Sequence, residues 1–347
     1  MKKSVSLVLS ICFVLILLLL SACAGEESSG GGDGGDGGKP ITLYSPETPE
    51  LSKELAAKYE ELYGTKVNVN YAGTNVLVNK MMAEKGNPQA DVWYGGGGIL
   101  PFEAAVDKDI ITSYIPESAK EWEVVENGIK VKHQDGYYVG AEMFVLGFAY
   151  NTELVSEEEA PKTWEDLLDP KWKGKIQFPN PAASGTATLM VLSYMMQHGE
   201  EAGWEYFQKL KDQANSIPDS GSGPTKGAAM GEAHIAVGFD FMAYEHQANG
   251  ETVDFVVPEK TPILVNPVTL VKDGPNPEGG KKFMDFMLGK DAQQILADWY
   301  HIPINPDVES KTPLSLDKIK EHAVDLDIDW VNENYDRIRD EWKTKIK

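Results

Sequence analysis

The run from Asn180 to Ala187, NPAASGTA, has the residue types of an anion-binding turn. Its small side chains leave the main-chain N–H groups uncovered, and Ser184 and Thr186 add hydroxyl donors. A strand-like segment, 176–178, precedes the run, and a helix-like segment follows it to about Gln197. A helix start offers up to about four free N–H groups and about half a positive charge, which suits a phosphate, phosphonate or carboxylate. The alternative is a plain serine-capped helix. The first interpretation makes Ser184, Gly185 and Thr186 ligand contacts.

A second run rich in serine and glycine, DSGSGPTK, extends from Asp219 to Lys226 and also opens a helix-like segment. Ser220, Gly221 and Ser222 are therefore candidate ligand contacts too. The alternative is a turn that only connects two elements, because serine and glycine are ordinary turn residues.

Asp240 directly follows the strand-like segment 235–239 and has apolar neighbours in Phe239 and Phe241. A carboxylate at the carboxyl end of a strand can receive a cationic or hydroxylated part of a ligand, so Asp240 is a candidate contact. The alternative is that it caps the next helix.

The elements that must position these residues alternate along the chain. Strand-like runs at 41–44, 67–71 and 90–94 are separated by helix-like runs at 51–63 and 75–85, for which Thr48 and Thr74 are expected as N-caps. This order predicts a mostly parallel sheet, which binds ligands at the carboxyl ends of its strands. The candidate contacts at those ends are Ser45, Thr48, Thr74, Asn75, Gly95 and Gly96.

Several kinds of chemistry have no matching motif. The four glycines at 95–98 form neither a dinucleotide fingerprint nor a P-loop. The six histidines form no zinc motif, and no Gly-x-Ser-x-Gly elbow is found. We therefore expect no metal, no cofactor and no catalysis. The net charge of −22 argues against a nucleic-acid partner. Any anion-binding site must therefore be local and built from N–H groups and hydroxyls.

The first residues are typical of a secretory signal. Lys2 and Lys3 precede an apolar run from Val5 to Leu20, which is shorter than the ~20 residues of a membrane-spanning helix. Leu20-Ser21-Ala22-Cys23 resembles the lipobox of bacterial lipoproteins. This resemblance implies removal of residues 1–22, a lipid on Cys23 and anchoring on the extracytoplasmic face of the cell membrane. Residues 23–38 are expected to be a flexible Gly/Ser/Asp-rich tether. The alternative is an uncleaved membrane helix.

The remainder resembles the extracellular solute-binding proteins of ABC importers, in the group that holds ferric-ion, thiamine, 2-aminoethylphosphonate and sugar-phosphate receptors. The resemblance is carried by ADVWYGG at 90–96, GFAYNT at 147–152, TWEDLLDPKWKGKI at 163–176, NPAASGT at 180–186 and GEA at 231–233. It implies an α/β, two-lobed periplasmic-binding-protein-like fold of type II, in which each lobe is a mostly parallel sheet flanked by helices. Lobe one would be residues 39–141 with 268–347, and lobe two residues 142–267. Crossover strands are expected near 142–148 and 264–270.

The resemblance also bears on the ligand. The Ser184 and Ser220 loops are similar to the loops that hold the anionic group in phosphonate and sugar-phosphate receptors. A small organic phosphate or phosphonate is therefore expected, and Asp240 is expected to face an amine or the hydroxyl groups of the ligand. The ferric receptors of the group use adjacent tyrosines where this chain has Asp240 and Phe241, which argues against direct iron coordination. The expected partner is an ABC permease, and the receptor is expected to be a monomer. A ferric-ion or thiamine (phosphate) receptor, a sensory receptor and an extracytoplasmic hydrolase remain as alternatives.

Overall fold

One mixed sheet forms the centre of the fold. The structure is a computed structural model that describes residues 38–126, 129–314 and 319–346. The predicted signal peptide, Cys23 and the tether up to residue 37 lie outside the described residues. None of the helices within the described ranges is both long enough and apolar enough to cross a membrane.

The strands of the described chain are, in order, β1 Ile41–Ser45, β2 Val67–Tyr71, β3 Val92–Tyr94, β4 Ile111–Thr112, β5 Val125–Glu126, β6 Ile129–Lys130, β7 Val139–Asn151, β8 Ile176–Gln177, β9 Ala214–Ser216, β10 Ile235–Phe239, β11 Val253–Val256, β12 Ile263–Val271 and β13 Ile302–Pro303. The helices are α1 Pro49–Tyr63, α2 Thr74–Ala83, α3 Leu100–Asp107, α4 Gly185–His198, α5 Glu200–Gln213, α6 Gly223–Ala229, α7 Asp240–Ala248, α8 Pro277–Leu288, α9 Lys290–Asp298 and α10 Ile328–Lys345.

The sheet is parallel towards its two ends and antiparallel in its middle. Its strand order is β2-β1-β3-β12-β7-β10-β8-β9. Strand β1 pairs in parallel with β2 and β3, and β8 pairs in parallel with β10 and β9, which confirms parallel pairing where strands alternate with helices. Between these groups β12 runs antiparallel to β3 and β7, and β10 runs antiparallel to β7.

The long strands β7 and β12 contain the two segments expected to be crossovers. They pair with one another from Ile263 opposite Val145 to Val268 opposite Val139. All 13 residues of β7 are buried. The two strands therefore join the parallel parts of the sheet through one buried ladder. The division into two lobes stays a prediction.

Apolar cores cover both parts of the sheet. Helices α1, α8 and α9 pack Leu55, Phe283 and Leu296 against Leu43 near one end. Helices α4, α5 and α10 pack their apolar faces around β7 and β10 in a larger cluster that includes Phe148, Phe207 and Trp342. These cores fix the strand ends, and with them the loops that carry the candidate contacts.

Candidate ligand-binding site

A cavity of about 450 Å³ lies at the carboxyl ends of β1, β2, β3 and β10, beside the start of α4. Both serine loops and the strand-end loops face it. Its lining is Pro46, Glu47, Thr48, Pro49, Glu50, Tyr71, Gly73, Thr74, Asn75, Val76, Gly96, Gly97, Phe144, Ala183, Ser184, Gly185, Thr186, Asp219, Ser220, Gly221, Ser222, Phe239, Phe241, Met242 and Asn266.

The start of α4 presents free donors to this cavity. Ser184 occupies the cap position, where its hydroxyl accepts the Ala187 N–H at 3.4 Å and its own N–H donates to the carbonyl of Asn180. Among the described hydrogen bonds, the N–H groups of Gly185 and Thr186 have no acceptor. The helix is thus serine-capped, as the alternative interpretation requires, and still keeps two N–H groups for a guest.

The second serine loop is tied to the first. Asn180 donates its side-chain N–H to Asp219 at 2.8 Å and its main-chain N–H to Pro218 at 2.8 Å. The hydroxyls of Ser220 and Ser222 lie 2.8 Å apart. Because both loops line one cavity, their hydroxyls can serve the same anion as the α4 amides.

Threonines line the wall formed by β1, β2 and β3. Thr48 holds the cap position of α1, as expected, but makes no cap hydrogen bond, and its hydroxyl is buried without a partner in the described structure. The expectation that Thr74 caps α2 is wrong, because the helix begins at Thr74 with Gly73 in the cap position. The Thr74 hydroxyl donates instead to the Gly96 carbonyl at 3.1 Å.

Three of the predicted ligand contacts lie outside the cavity lining. Ser45 is fully buried, and its hydroxyl accepts from the Glu47 N–H at 3.2 Å and the Ser52 hydroxyl at 3.3 Å, so it shapes the turn after β1. Gly95 lies under Glu47, whose carboxylate would collide with any Cβ at this position. The remaining predicted contacts line the cavity, and their contact with a ligand stays a prediction.

Asp240 is the third predicted ligand contact that lies outside the cavity lining. Its side chain is fully buried, and Oδ1 accepts the N–H of Val145 in β7 at 2.8 Å. Burial raises the pKa of this carboxyl to about 7. Helix α7 begins at Asp240 itself, with Phe239 in the cap position, so the N-cap alternative is not realised either. The carboxyl holds the β7 backbone, and the neighbouring Phe239 and Phe241 line the cavity in its place.

Asn266 organises the site and was missed by sequence reasoning. Its Oδ1 accepts the N–H groups of Gly97 and Gly98 at 3.1 and 3.2 Å, and its Nδ2 donates to Glu47 and Glu142 at 3.0 and 2.9 Å. These partners lie far away in the sequence, and no local pattern around Asn266 indicates them.

The cavity is acidic, and its anion donors are neutral. Glu47, Glu50 and Asp219 supply its charges, and the described lining contains no lysine, arginine or histidine. Burial raises the pKa of Glu47 to about 7. The donors that the described lining offers an anionic group are therefore neutral, namely the uncovered amides at the starts of α4 and α2 and the hydroxyls of both serine loops. Glu47 and Asp219 suit hydroxyl or amine donors.

Known proteins are similar to this chain in sequence. The model of a family described as bacterial extracellular solute-binding protein matches residues 75–330. A putative 2-aminoethylphosphonate-binding periplasmic protein of Salmonella typhimurium is 30% identical over 257 residues, covering 70% of this chain and 72% of the relative. Iron uptake protein A1 of Synechocystis is 26% identical over 306 residues, covering 83% and 82%.

A solved structure is similar over nearly the whole described chain. It is the periplasmic binding protein AfuA from Actinobacillus pleuropneumoniae with fructose 6-phosphate bound, and it has a TM-score of 0.80 and 28% identity. The match covers 89% of this chain and 98% of AfuA. The periplasmic-binding-protein fold is confirmed by this likeness. The family match covers well over half of the residues, and the chain belongs to the bacterial extracellular solute-binding proteins.

Proposed function

We propose that this protein is the receptor of an ABC importer and captures a small organic phosphate or phosphonate. The observation that carries the proposal is the pair of free N–H groups at Gly185 and Thr186, which face a cavity together with the hydroxyls of Ser220 and Ser222. The start of α2 offers further amide donors on the opposite wall. The phosphate group lies at the start of α4, and Ser220 and Ser222 complete its shell. The remainder of the ligand lies towards Glu47 and the phenylalanine wall.

The size and the donors of the cavity suit such a ligand. Its volume of about 450 Å³ falls within the roughly 300–1,000 Å³ typical of small-molecule sites. Hydrogen bonds to a charged oxygen contribute about 1.5–3 kcal/mol each. A few of them reach the roughly −8 kcal/mol of micromolar binding. The phosphonate relative and the sugar-phosphate complex of AfuA support this ligand class.

Binding, rather than catalysis, is the activity we infer. Residues 39–141 with 268–347 form one lobe and residues 142–267 the other, and closure bends the chain at β7 and β12. The closed form is then presented to the permease. Among the described lining residues, the serines have no histidine beside them to act as a base, which does not favour a hydrolase.

The protein is anchored to the membrane in this account. Signal cleavage removes residues 1–22, Cys23 carries lipid, and residues 23–38 tether a monomeric receptor on the extracytoplasmic face. The support for this placement is the lipobox-like sequence Leu20-Ser21-Ala22-Cys23.

Direct ferric-ion binding is the alternative, since Iron uptake protein A1 is a relative. The tyrosine pair that the family resemblance implies for ferric receptors is replaced by Asp240 and Phe241. Tyr71 is the single tyrosine of the described cavity lining. The lining thus lacks the phenolate pair and favours an organic anion.

Calorimetry with fructose 6-phosphate, 2-aminoethylphosphonate and unphosphorylated fructose tests the proposal. We expect at least one of the two phosphorus compounds to bind, fructose to bind far more weakly, and no phosphate to be released. Ser184→Ala combined with Thr186→Ala should weaken binding at least ~10-fold, because two hydroxyl donors to a charged oxygen, at about 1.5–3 kcal/mol each, are lost. Ser156→Ala combined with Thr163→Ala, outside the cavity lining, is the matched control. Unchanged affinity in the cavity variant contradicts the site, and release of phosphate contradicts the binder.

A further inference from the structure

Glu47, Glu142 and His301 form a cluster beside the floor of the cavity. One potential ligand atom from each side chain lies within 4.8 Å of the others. Glu47 follows β1, Glu142 belongs to β7, and His301 directly precedes β13. Because β13 pairs with β7, with Pro303 opposite Glu142, the sheet itself holds the histidine beside the glutamate.

Asn266 and the hydroxyl of Tyr94 are the polar neighbours of Glu142 in this cluster, and two of the cluster's buried polar atoms are left without a partner among the described residues. Glu142 is fully buried and His301 is 1% exposed. In the described chain, Oε2 of Glu142 and Nδ1 of His301 have no partner in hydrogen-bonding geometry, and the described ion pairs include neither Glu47 nor Glu142. A buried carboxylate keeps its negative charge only where a cation or a metal ion lies beside it, and the described ion pairs bring no cation to this cluster.

The donor atoms are held in place by a surrounding set of contacts. Asn266 donates to one oxygen of Glu47 and one of Glu142, while its own carbonyl is fixed by Gly97 and Gly98. The ring of His301 stacks on Phe241 with centroids 4.1 Å apart. Such outer contacts are what orient the ligands of protein metal sites.

We propose that Glu47, Glu142 and His301 bind a divalent transition-metal ion of the Zn²⁺ class. Two carboxylate oxygens and one imidazole nitrogen are a donor set that zinc accepts, whereas magnesium and calcium prefer oxygen alone. Three protein ligands leave a coordination position open. The tyrosine pair implied for ferric receptors has no part in this donor set.

The position of the metal site beside the cavity also means that a bound ion changes the charge next to the ligand. Glu47 is the member of the cluster that also lines the cavity, whose described lining carries no basic residue. A bound cation therefore offsets the negative charge beside the ligand. This consequence rests on the proposed function, whereas the metal site itself does not.

The test titrates ZnCl₂ into chelator-treated protein without any phosphate ligand, followed by calorimetry. We expect one ion per chain and at least ~10-fold weaker binding in Glu142→Gln and in His301→Gln. Glu153→Gln and His198→Gln, both exposed and outside the cluster, are the matched controls and should bind as the parent protein does. Wild-type protein that binds no zinc, or cluster variants with parental affinity, would overturn the site.

If a variant is unstable, two further measurements still test the metal site. Zinc should raise the melting temperature of the parent protein and leave that of folded Glu142→Gln unchanged, since only a ligand bound to the native state stabilises it. Co²⁺ substituted for zinc should give visible absorption bands in the parent protein that an excess of zinc removes. Absence of these bands, or an equal melting shift in the variant, would contradict the proposal. Calorimetry with the phosphorus compounds, described under the proposed function, tests that function separately from the metal site.

Discussion

Asp240 gives the clearest prediction at the scale of single residues. Burial raises its pKa from 3.8 to about 7. Between these values the folded protein keeps a proton that the unfolded chain has released, so the free energy of unfolding falls as the pH rises from about 4 to about 7. Above that range the contribution is constant. The nearby Tyr244 has its own pKa raised well out of this range, chiefly by burial and further by Asp240.

Asp240→Asn should remove this pH dependence. The amide oxygen can still accept the Val145 N–H, and the neutral side chain carries no buried charge at high pH. Relative to the parent protein, we expect the variant to gain about 2–3 kcal/mol of stability between pH 5 and pH 8. Urea unfolding at both pH values measures the difference, with the exposed Asp212→Asn as control. Parallel pH profiles for Asp240→Asn and the parent protein would show that Asp240 is not the group responsible.

Sequence reasoning succeeded at residues whose signal is local. Ser184, Gly185 and Thr186 were placed at a helix start because small and hydroxylated residues after a strand-like segment are typical of one. It failed for Asp240, because the direction of that side chain depends on the β7 backbone, which lies 95 residues away. Asn266 was missed for the same reason.

At the scale of structural elements, the prediction concerns the glycine loop at 95–98, which follows β3. Gly95, Gly96, Gly97 and Gly98 all have positive φ angles, of 78°, 144°, 79° and 102°. At Gly95 a methyl group would meet the Glu47 carboxylate, whereas at Gly64, with a φ of 65°, it would meet nothing within 4 Å.

Gly95→Ala should therefore cost more than Gly64→Ala. The left-handed backbone alone costs about 1–2 kcal/mol for a residue with a Cβ, and we expect Gly64→Ala to lose about that much. For Gly95→Ala the displaced Glu47 adds a further penalty, giving about 2–4 kcal/mol in total. Chemical unfolding of both variants measures the costs. Equal losses would show that Glu47 moves aside freely.

Elements with a regular pattern were predictable, whereas some of the shortest strands were not. The bounds of β2 and β10 and the end of α1 at Gly64 agree with the sequence pattern, and β1 extends one residue beyond the predicted 41–44, because these apolar or alternating runs are visible in the local sequence. Strands β4 and β13 are two residues long and exist through pairing with β12 and β7. Since their partners lie far away in the sequence, no local periodicity could indicate them.

Lobe closure is the prediction for the whole molecule. The two sides of the cavity approach closely, since a Cβ at Gly97 would lie 2.9 Å from the Thr186 hydroxyl oxygen. A ligand held by both sides favours this closed arrangement over an open one. Small-angle X-ray scattering should show a smaller radius of gyration when a binding phosphate compound is saturating. The Ser184→Ala/Thr186→Ala variant should need at least ~10-fold more ligand for the same change. An unchanged radius on binding would contradict closure.

The architecture of the whole molecule came from family resemblance rather than from composition. Runs such as TWEDLLDPKWKGKI pointed to a periplasmic-binding-protein fold, which the likeness to AfuA confirms. The strand order could not be read from the pattern, because β7 and β12 are separated by more than a hundred residues and pair only in the folded chain.

The most direct measurement of the central claim is a crystal structure with 2-aminoethylphosphonate or fructose 6-phosphate, whichever binds more tightly. The account predicts that oxygens of the phosphorus group lie about 3 Å from the N–H groups of Gly185 and Thr186. It also predicts that the hydroxyls of Ser220 and Ser222 complete the shell. A phosphorus group bound elsewhere, with those amides capped by the protein itself, would contradict the account.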